Sequence, residues 1–139
     1  MGRLVFNEGD GLRFFKFILE ATIREGKIML PKKFVRRHGN EIPSTVTLET
    51  PTGASWQVEL LKNSTGGEFW FDKGWKEFVE GLSLEHGNVV FFKYDGVCHF
   101  DVIICDESGI EIEYSSNELE LINSAVDEDY MQFLNTLEQ

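Results

Sequence analysis

The sequence contains 139 residues, of which 42% are hydrophobic and 13% aromatic, and its formal net charge is -11. These values exclude a disordered polymer and favour a single domain of ordinary size with a buried core. No apolar run approaches the length that a transmembrane helix needs, and the first residues lack the apolar core and cleavage site of a signal peptide. We therefore expect a soluble protein that is not secreted.

Short β-strands separated by turn residues are the main structural prediction. Seven runs have the β-branched and aromatic content of strands: FFKFIL, GKIML, TVTLE, WQVEL, EFWF, NVVFFKY and HFDVIIC. In WQVEL, the side chains of Trp56, Val58 and Leu60 share one face, and TVTLE alternates in the same way with Val46 and Leu48 inward. Each run therefore predicts a strand with one buried and one solvent-facing side. Turn residues at 51–53 and 95–96 favour antiparallel hairpins between neighbouring runs.

Two short helices are predicted between these strands. The first follows Pro31, contains KKFVRRH and stops at Gly39. Because an isolated helix of this length does not persist in water, we expect Phe34 and Val35 to dock it on the sheet. Along the second helix, apolar residues recur at helical spacing: Trp75, Phe78, Val79 and Leu82. Many strands with two capping helices predict a mainly β barrel or sandwich.

The C-terminal part of the sequence is acidic and amphipathic. Residues 110–114 alternate in hydrophobicity and predict an eighth short strand. Within 115–139, Asn117 and Glu120 form a candidate capping box, and apolar residues follow at helical spacing: Leu119, Ile122, Val126, Tyr130, Phe133 and Leu137. This segment could form an acidic helix that packs on its own domain, a partly disordered linker, or a docking segment for a protein partner.

Cys98 and Cys105 lie on or beside one predicted strand. Their odd separation points the two side chains to opposite faces, and seven extended residues span roughly 23 Å, so we expect no disulfide between them. No zinc-binding spacing surrounds them, which predicts reduced thiols in an intracellular protein and neither metal nor cofactor. Motifs of serine hydrolases, P-loops, zinc proteases and dinucleotide-binding enzymes are also lacking, so we predict no enzymatic activity.

Charge is distributed unevenly along the chain. Residues 11–40 hold eight Lys or Arg against Glu20 and Glu25. From residue 94 onward the sequence has twelve acids and no Lys or Arg. This asymmetry predicts a basic face for a polyanion on a chain that elsewhere repels one.

Half of these cations lie in the first helix: Lys32, Lys33, Arg36 and Arg37. Lys32 lies beside Arg36 and Lys33 beside Arg37, a spacing at which like charges destabilise a helix by a few tenths of a kcal/mol, roughly. The helix macrodipole also disfavours both lysines in the first turn unless an anion lies there. A phosphate-binding surface explains this pattern, with a solvated basic patch or a nuclear-import signal as alternatives.

Five motifs occur in order along the chain: FFKFIL, GKIMLPKKFVRRHG, the Trp of SWQVEL, FDKGWKEFVEGLSLEHGNVVFFKYDG and FDVIICD. Their order resembles a plant B3 DNA-binding domain, most closely the reproductive-meristem and vernalization subgroup. The most specific parts are LPKKFV, KGW and L-x-x-G-N-V-V-F-F. The resemblance divides the chain into an N-terminal extension at 1–11, a B3-type domain at 12–114 and the acidic segment at 115–139.

The resemblance implies a mainly β fold, a seven-stranded open pseudo-barrel with two short α-helices, that holds the DNA major groove between two arms. The first arm is a hairpin at 22–29, and the second arm covers 62–70. The implied DNA-binding residues are Arg24, Lys27, Lys32, Lys33, Arg36, Arg37, Lys62, Asn63, Ser64, Thr65, Trp70 and Lys73. In this scheme the basic helix anchors phosphates, and the polar side chains of the second arm meet base edges or phosphates.

Both arms depart from the sequence-specific members of the family. The first arm reads ATIREGKIML, where the auxin-response type has a His, Gly, Ser and Arg set for reading bases. The second arm reads KNSTGGEF, where specific members place a Trp-Asn-Ser-Ser motif. Asn88 replaces the usual Asp after Gly87, which we interpret as a turn variation. These departures predict backbone-driven binding with weak sequence selectivity.

The sequence therefore predicts a nuclear, transcription-associated plant protein that binds double-stranded DNA and does not associate with membranes. The alternative is a degenerate B3 domain that serves as a protein–protein interaction module in chromatin or transcription complexes. In that alternative, the acidic C-terminal segment contacts a protein partner or its own barrel. A nuclease that uses Asp10, Glu25 and Lys27 is a third hypothesis.

Overall fold

The computed structural model describes residues 12–63 and 65–114. The predicted N-terminal extension at 1–11, Ser64 and the predicted acidic helix within 115–139 lie outside the described residues. The elements are, in chain order, β1 (Arg13–Phe17), α1 (Glu20–Glu25), β2 (Ile28–Met29), α2 (Lys32–His38), β3 (Thr45–Glu49), β4 (Ser55–Asn63), β5 (Glu68–Phe71), α3 (Trp75–Gly81), β6 (Val89–Tyr94) and β7 (His99–Cys105).

The strands form one curled seven-stranded sheet in the order β1-β6-β7-β3-β4-β5-β2. The terminal strands of this order, β1 and β2, each pair with a single neighbour, so the sheet is an open half-barrel. The predicted mainly β, seven-stranded open barrel is confirmed. The hairpins predicted at 51–53 and 95–96 also occur, because β3–β4 and β6–β7 pair antiparallel. The parallel pairing of β3 with β7, in which Leu48 lies opposite Phe100, was not predicted.

Alternating side chains of the strands fill the interior of the half-barrel. Leu48 and Val58 are fully buried, which confirms the inward faces assigned to TVTLE and WQVEL. At the centre, the ring centroid of Phe100 lies 4.9 Å from that of Tyr94 and 5.4 Å from that of Phe71. Aromatic pairs in such geometries add about 0.5–1.5 kcal/mol beyond the area they bury. The aromatic content of the sequence therefore serves mainly the core.

The two predicted helices are present as α2 and α3. Pro31 precedes α2 and Gly39 follows it, and the buried residues of this helix are Phe34 and Val35, as predicted. The predicted apolar stripe of the second helix is buried: Trp75, Phe78, Val79 and Leu82. Both helices are therefore held by their contact with the sheet.

A third helix, α1, occupies the region where the first arm was predicted to be a hairpin, and that prediction is wrong. The Thr22 hydroxyl donates a hydrogen bond of 2.8 Å to the Leu19 carbonyl, and the Leu19 N–H approaches the same hydroxyl at 3.3 Å. These local contacts favour a helical turn over a strand. Gly26 then ends the helix in the left-handed region at φ 75°. Only Ile28 and Met29 remain to pair with β5 as β2.

The glycine of the KGW motif has a steric role. Gly74 has φ 94°, and a Cβ atom there would overlap the carbonyl oxygen of Gln57 and lie 3.1 Å from the Val58 Cα. The backbone of β4 therefore occupies the space that a side chain would need. Only glycine allows α3 to begin this close to the sheet.

The described chain after β7 makes one bridge rather than a full strand. Cys105 and Glu111 form an isolated antiparallel bridge, so the eighth strand predicted at 110–114 is reduced to this contact. Both cysteines are free thiols, which agrees with the expected lack of a disulfide between Cys98 and Cys105. None of the helices among the described residues has the length and apolar character to cross a membrane.

Candidate nucleic-acid interface

A groove lies between α2 and the β4–β5 loop. The Leu30 N–H donates a hydrogen bond of 2.8 Å to the Phe69 carbonyl, which holds the chain just before α2 against β5. As a result, α2 lies beside the loop that precedes β5. The groove has a volume of about 490 Å³ and is lined by Lys32, Val35, Arg36, Gly39, Asn40, Thr65, Gly66, Gly67 and Phe69.

Two cations of α2 face this groove, and the other two do not. Lys32 and Arg36 are among the lining residues, whereas Lys33 and Arg37 lie outside it and are exposed. Among residues 12–63 and 65–114, no carboxylate lies within ion-pair distance of Lys32, Lys33 or Arg36. The positive charge on this face of the helix is therefore not compensated by the described acids, and it is accessible to an anionic ligand.

Backbone and side-chain contacts shape the β4–β5 loop. The Gly66 N–H points to the Asn63 side-chain oxygen at 3.4 Å, and Gly67 adopts the left-handed region at φ 68°. Thr65 and Gly66 are exposed beside the two groove cations. The loop therefore offers a short hydroxyl side chain and open backbone, which suit contacts to phosphate or base edges.

Lys27 and Trp70 form a second basic feature on the outer face of the sheet. The Lys27 Nζ lies 5.1 Å from the centroid of the Trp70 ring, a cation–π distance. Trp70 is paired across the sheet with Met29 on one side and with Leu61 on the other. Arg24 is exposed in the last turn of α1, two residues before the turn that leads to Lys27.

Lys62 is held by contacts within the protein. Its Nζ donates a hydrogen bond of 2.7 Å to the Ile42 carbonyl and lies 5.5 Å from the centroid of the Phe69 ring. These contacts tie β4 to the segment that follows α2, so the Lys62 ammonium stabilises one wall near the groove. Lys73 is exposed beyond the end of β5 that lies away from the loop, where its carbonyl accepts the Glu59 N–H at 2.8 Å.

One described side-chain cluster has the composition of a metal site. His99 Nε2 lies 3.2 Å from a carboxylate oxygen of Glu49 and 3.2 Å from one of Asp101. These residues are on β3 and β7, and none of them lines the groove beside α2. An Nε2–H group that donates to both carboxylates accounts for this geometry without an ion.

The B3 DNA binding domain family profile matches residues 14–108, which is more than half of the chain. The chain belongs to this family. The resemblance to the B3 family inferred from the order of the motifs is thereby confirmed.

Relatives of this B3 domain include plant proteins of greater length. B3 domain-containing protein At4g01580 of Arabidopsis thaliana is 35% identical over 112 residues, which cover 81% of this chain and 58% of that protein. B3 domain-containing transcription factor VRN1 of the same plant is 38% identical over 106 residues, which cover 76% of this chain and 30% of VRN1. The chain thus corresponds to little more than half of the first relative and to less than a third of VRN1.

A solved structure supports the same family fold. The structure of the hypothetical Arabidopsis thaliana protein At1g16640.1 is similar with a TM-score of 0.60 and 30% sequence identity. The similarity covers 68% of this chain and 89% of that one. Its extent is consistent with a B3 domain that occupies most of the described residues.

The structure describes eleven of the twelve site residues predicted from the sequence, and three of these eleven line the groove of this B3 domain. Lys32, Arg36 and Thr65 lie in the groove, and Lys27 and Trp70 lie on the outer face of the sheet. The Lys62 ammonium is bound to the Ile42 carbonyl within the protein, and Lys73 lies beyond the end of β5 that is away from the loop. Asn63 lies at the base of the loop. Ser64 lies outside the described residues.

Asn40 is a groove residue that the sequence interpretation missed. It is exposed and lies with Gly39 in the lining opposite the β4–β5 loop. The sequence signal that could have identified Asn40 is its position directly after Gly39, which ends the helix, and next to the basic run. A side-chain amide in this position can donate to a phosphate oxygen.

Proposed function

We propose that this B3 domain binds double-stranded DNA through the groove between α2 and the β4–β5 loop. In this proposal Lys32 and Arg36 contact phosphates, and Thr65 and Asn40 add neutral hydrogen bonds to the backbone or to base edges. Lys33 and Arg37 extend the positive potential along the exposed side of the helix. Family membership supports DNA as the ligand, and the geometry of the groove supports this choice of residues.

One observation carries the proposal most directly. The groove joins two elements distant in sequence, the basic helix and the polar loop, and its cations lack described carboxylate partners. A chain of net charge -11 gains no general affinity for nucleic acid from its total charge. Binding therefore depends on this local concentration of cations.

The first arm has a supporting role in the proposal. Arg24 and Lys27 lie on α1 and just before β2, and the Lys27 ammonium is stacked on Trp70. A stacked lysine can still donate to a phosphate, but its ammonium lacks the rigid planar fork that gives arginine its geometric specificity. We therefore propose backbone-driven binding with weak sequence selectivity.

The proposed biological setting is transcriptional regulation in the nucleus, with a binding role and no catalysis. VRN1, a relative, is described as a B3 domain-containing transcription factor. This chain matches only part of VRN1. A regulatory role is therefore proposed for this chain and does not follow from the similarity alone. A protein-interaction module is the competing function, and its binding would depend little on salt.

The test is fluorescence anisotropy of the full chain with several unrelated labelled duplexes across a salt series. About five phosphate contacts give a log-log slope of affinity against salt near -4 to -5. Removing one contact with Lys32→Ala makes the slope shallower by about 0.9, and the Lys32→Ala, Arg36→Ala double variant makes it shallower by about 1.8.

Lys76→Ala is the matched control, because Lys76 is an exposed lysine on α3 and lies outside the groove. It must leave the slope unchanged. Equal loss in Lys32→Ala and Lys76→Ala would show that the groove is not the binding surface. Binding that is absent at low salt would reject DNA as the ligand, and one duplex bound far more tightly than the rest would reject weak selectivity.

A further inference from the structure

The outer face of β1, β6 and β7 carries a contiguous apolar surface. Cross-strand pairing places Phe15 beside Phe91 and Phe91 beside Ile103. Phe15, Phe17, Phe91 and Ile103 are 53%, 55%, 43% and 46% exposed. The ring centroid of Phe15 lies 5.6 Å from that of Phe17 and 5.8 Å from that of Phe91. We call these four residues the aromatic face.

An aromatic face of this kind requires an explanation, because single exposed apolar residues are normal but contiguous ones mark interaction sites. The face lies at the β1 end of the sheet order, whereas the groove beside α2 lies against β5 near the other end. Its role is therefore separate from the proposed DNA contact.

The chain leaves the barrel next to the aromatic face. Beyond the Cys105–Glu111 bridge the chain turns back along β7, and the Ile112 N–H donates a hydrogen bond of 3.0 Å to the Ile104 carbonyl. The Tyr114 hydroxyl then accepts the Ile104 N–H at 2.9 Å. Because this path runs antiparallel to β7, it carries the chain toward Ile103 at the border of the aromatic face. The described chain therefore ends, at Tyr114, within reach of that face.

The sequence that follows has the complementary pattern. Residues 115–139 hold six acids and no Lys or Arg, and their apolar residues recur at helical spacing: Leu119, Ile122, Val126, Tyr130, Phe133 and Leu137. A helix over 119–137 is about 28 Å long, and a strand of five to seven residues is about 17–23 Å long, so one helix can cover the face.

Charges at one end of the face agree with an acidic occupant. Arg13 and Lys93 pair across β1 and β6, one row beyond Phe15 and Phe91. Both line the depression at this end of the face, together with Asp101 from β7. At this end, two cations against one acid favour the acidic residues of the segment. At the opposite end, Asp106 and Glu107 lie beside Phe17 and Phe91, so the electrostatic attraction is confined to the Arg13 end and the apolar contact covers the rest.

We propose that residues 115–139 fold back as an amphipathic helix whose apolar stripe covers the aromatic face. The short connection from Tyr114 makes the contact intramolecular, so it benefits from a high effective concentration. Docking there keeps the acids of the segment away from the cations beside α2. The experiment must distinguish this docking from a dimer in which a second copy of the chain covers the same face.

Hydrogen exchange of the full chain, read by mass spectrometry, tests the docking. Amides of 119–137 are expected to exchange at least tenfold more slowly than an unstructured chain. The Phe15→Ser, Phe91→Ser double variant is expected to abolish that protection while amides of β3 and β4 remain protected. The matched control is Val97→Ser, Ile110→Ser, which removes two apolar side chains, each 66% exposed, outside the aromatic face and must leave the segment protected.

A spin label tests the location without altering the four residues of the face. A nitroxide on Ser124→Cys, in a Cys98→Ser, Cys105→Ser background, is expected to broaden the amide resonances of Phe91 and Ile103 and not those of α2. Broadening of α2 would place the segment on the basic groove and overturn the proposal. Three other results would also overturn the proposal. These are exchange at the unstructured rate in the wild type, protection that survives in the Phe15→Ser, Phe91→Ser variant, and a dimeric mass by light scattering together with an unprotected segment.

Discussion

Replacing Gly74 with alanine provides a test of how α3 is seated against the sheet. The glycine has φ 94°, and its missing Cβ would overlap the Gln57 carbonyl oxygen and lie 3.1 Å from the Val58 Cα. The obstacle is backbone of β4 rather than the end of a flexible side chain. Relief therefore requires α3 or β4 to move as a unit.

The expected cost has two parts. Placing an L-residue in the left-handed region costs roughly 1–2 kcal/mol. Forcing a methyl group into occupied space adds about 1–3 kcal/mol. The Gly74→Ala variant should therefore lose about 2–5 kcal/mol of its free energy of unfolding, a large share of what a domain of this size has.

Gly53→Ala is the matched control, because Gly53 has φ 92° but no atom within 4 Å of its would-be Cβ. This control isolates the cost of the left-handed backbone conformation, about 1–2 kcal/mol of the free energy of unfolding. Urea unfolding followed by tryptophan fluorescence gives both values, since Trp75 is fully buried directly after Gly74. If the two variants lose the same free energy of unfolding with equal m-values, the steric argument is refuted.

Two further predictions concern the strands that carry the aromatic face. Tyr114→Phe removes the hydroxyl that accepts the buried Ile104 N–H, so it should lower the free energy of unfolding in urea by about 1–3 kcal/mol; no loss would mean that water replaces the hydroxyl. Burial raises the pKa of Asp95, but N–H donors led by that of Val97 outweigh it and hold the pKa below its ordinary value. A carboxylate of this kind stabilises the fold above its unfolded pKa and loses that effect as the pH falls through its folded pKa. Asp95→Asn should therefore be less stable than the wild type at neutral pH and converge with it in acid, and a difference that does not change with pH would contradict this assignment.

The fold could be predicted largely from the sequence because β-rich runs are separated by turn residues and because strands such as β3 and β4 alternate apolar with polar residues. Leu48 and Val58 illustrate this, since each lies on the face that the pattern predicted. The helix α1 could not be predicted in this way. The stretch EATIRE has no buried residue, and its N-cap residue, Leu19, provides no side-chain cap, so neither an apolar stripe nor a polar N-cap residue marks it. Its start depends instead on the Thr22 hydroxyl and the Leu19 backbone.

The candidate site was predictable in composition but not in arrangement. The basic run indicated a phosphate-binding surface, yet which two of its four cations face the β4–β5 loop depends on how α2 docks on β5. Lys62 shows the same limit, because its acceptor, the Ile42 carbonyl, is twenty positions away and belongs to no motif. Contacts between distant segments decide both results, and local sequence patterns carry no information about them.

The pairing of the strands has a consequence for how the domain is made. Arg13 at the start of β1 pairs with Lys93 in β6, and Ile28 in β2 pairs with Phe71 in β5. Folds dominated by such distant pairings reach the native state in milliseconds to seconds, more slowly than helical bundles. During synthesis, β1 must leave the ribosome without its partner and wait until β6 has emerged. The half-barrel therefore forms late and as one unit, with its phenylalanine-rich first strand in need of protection until then.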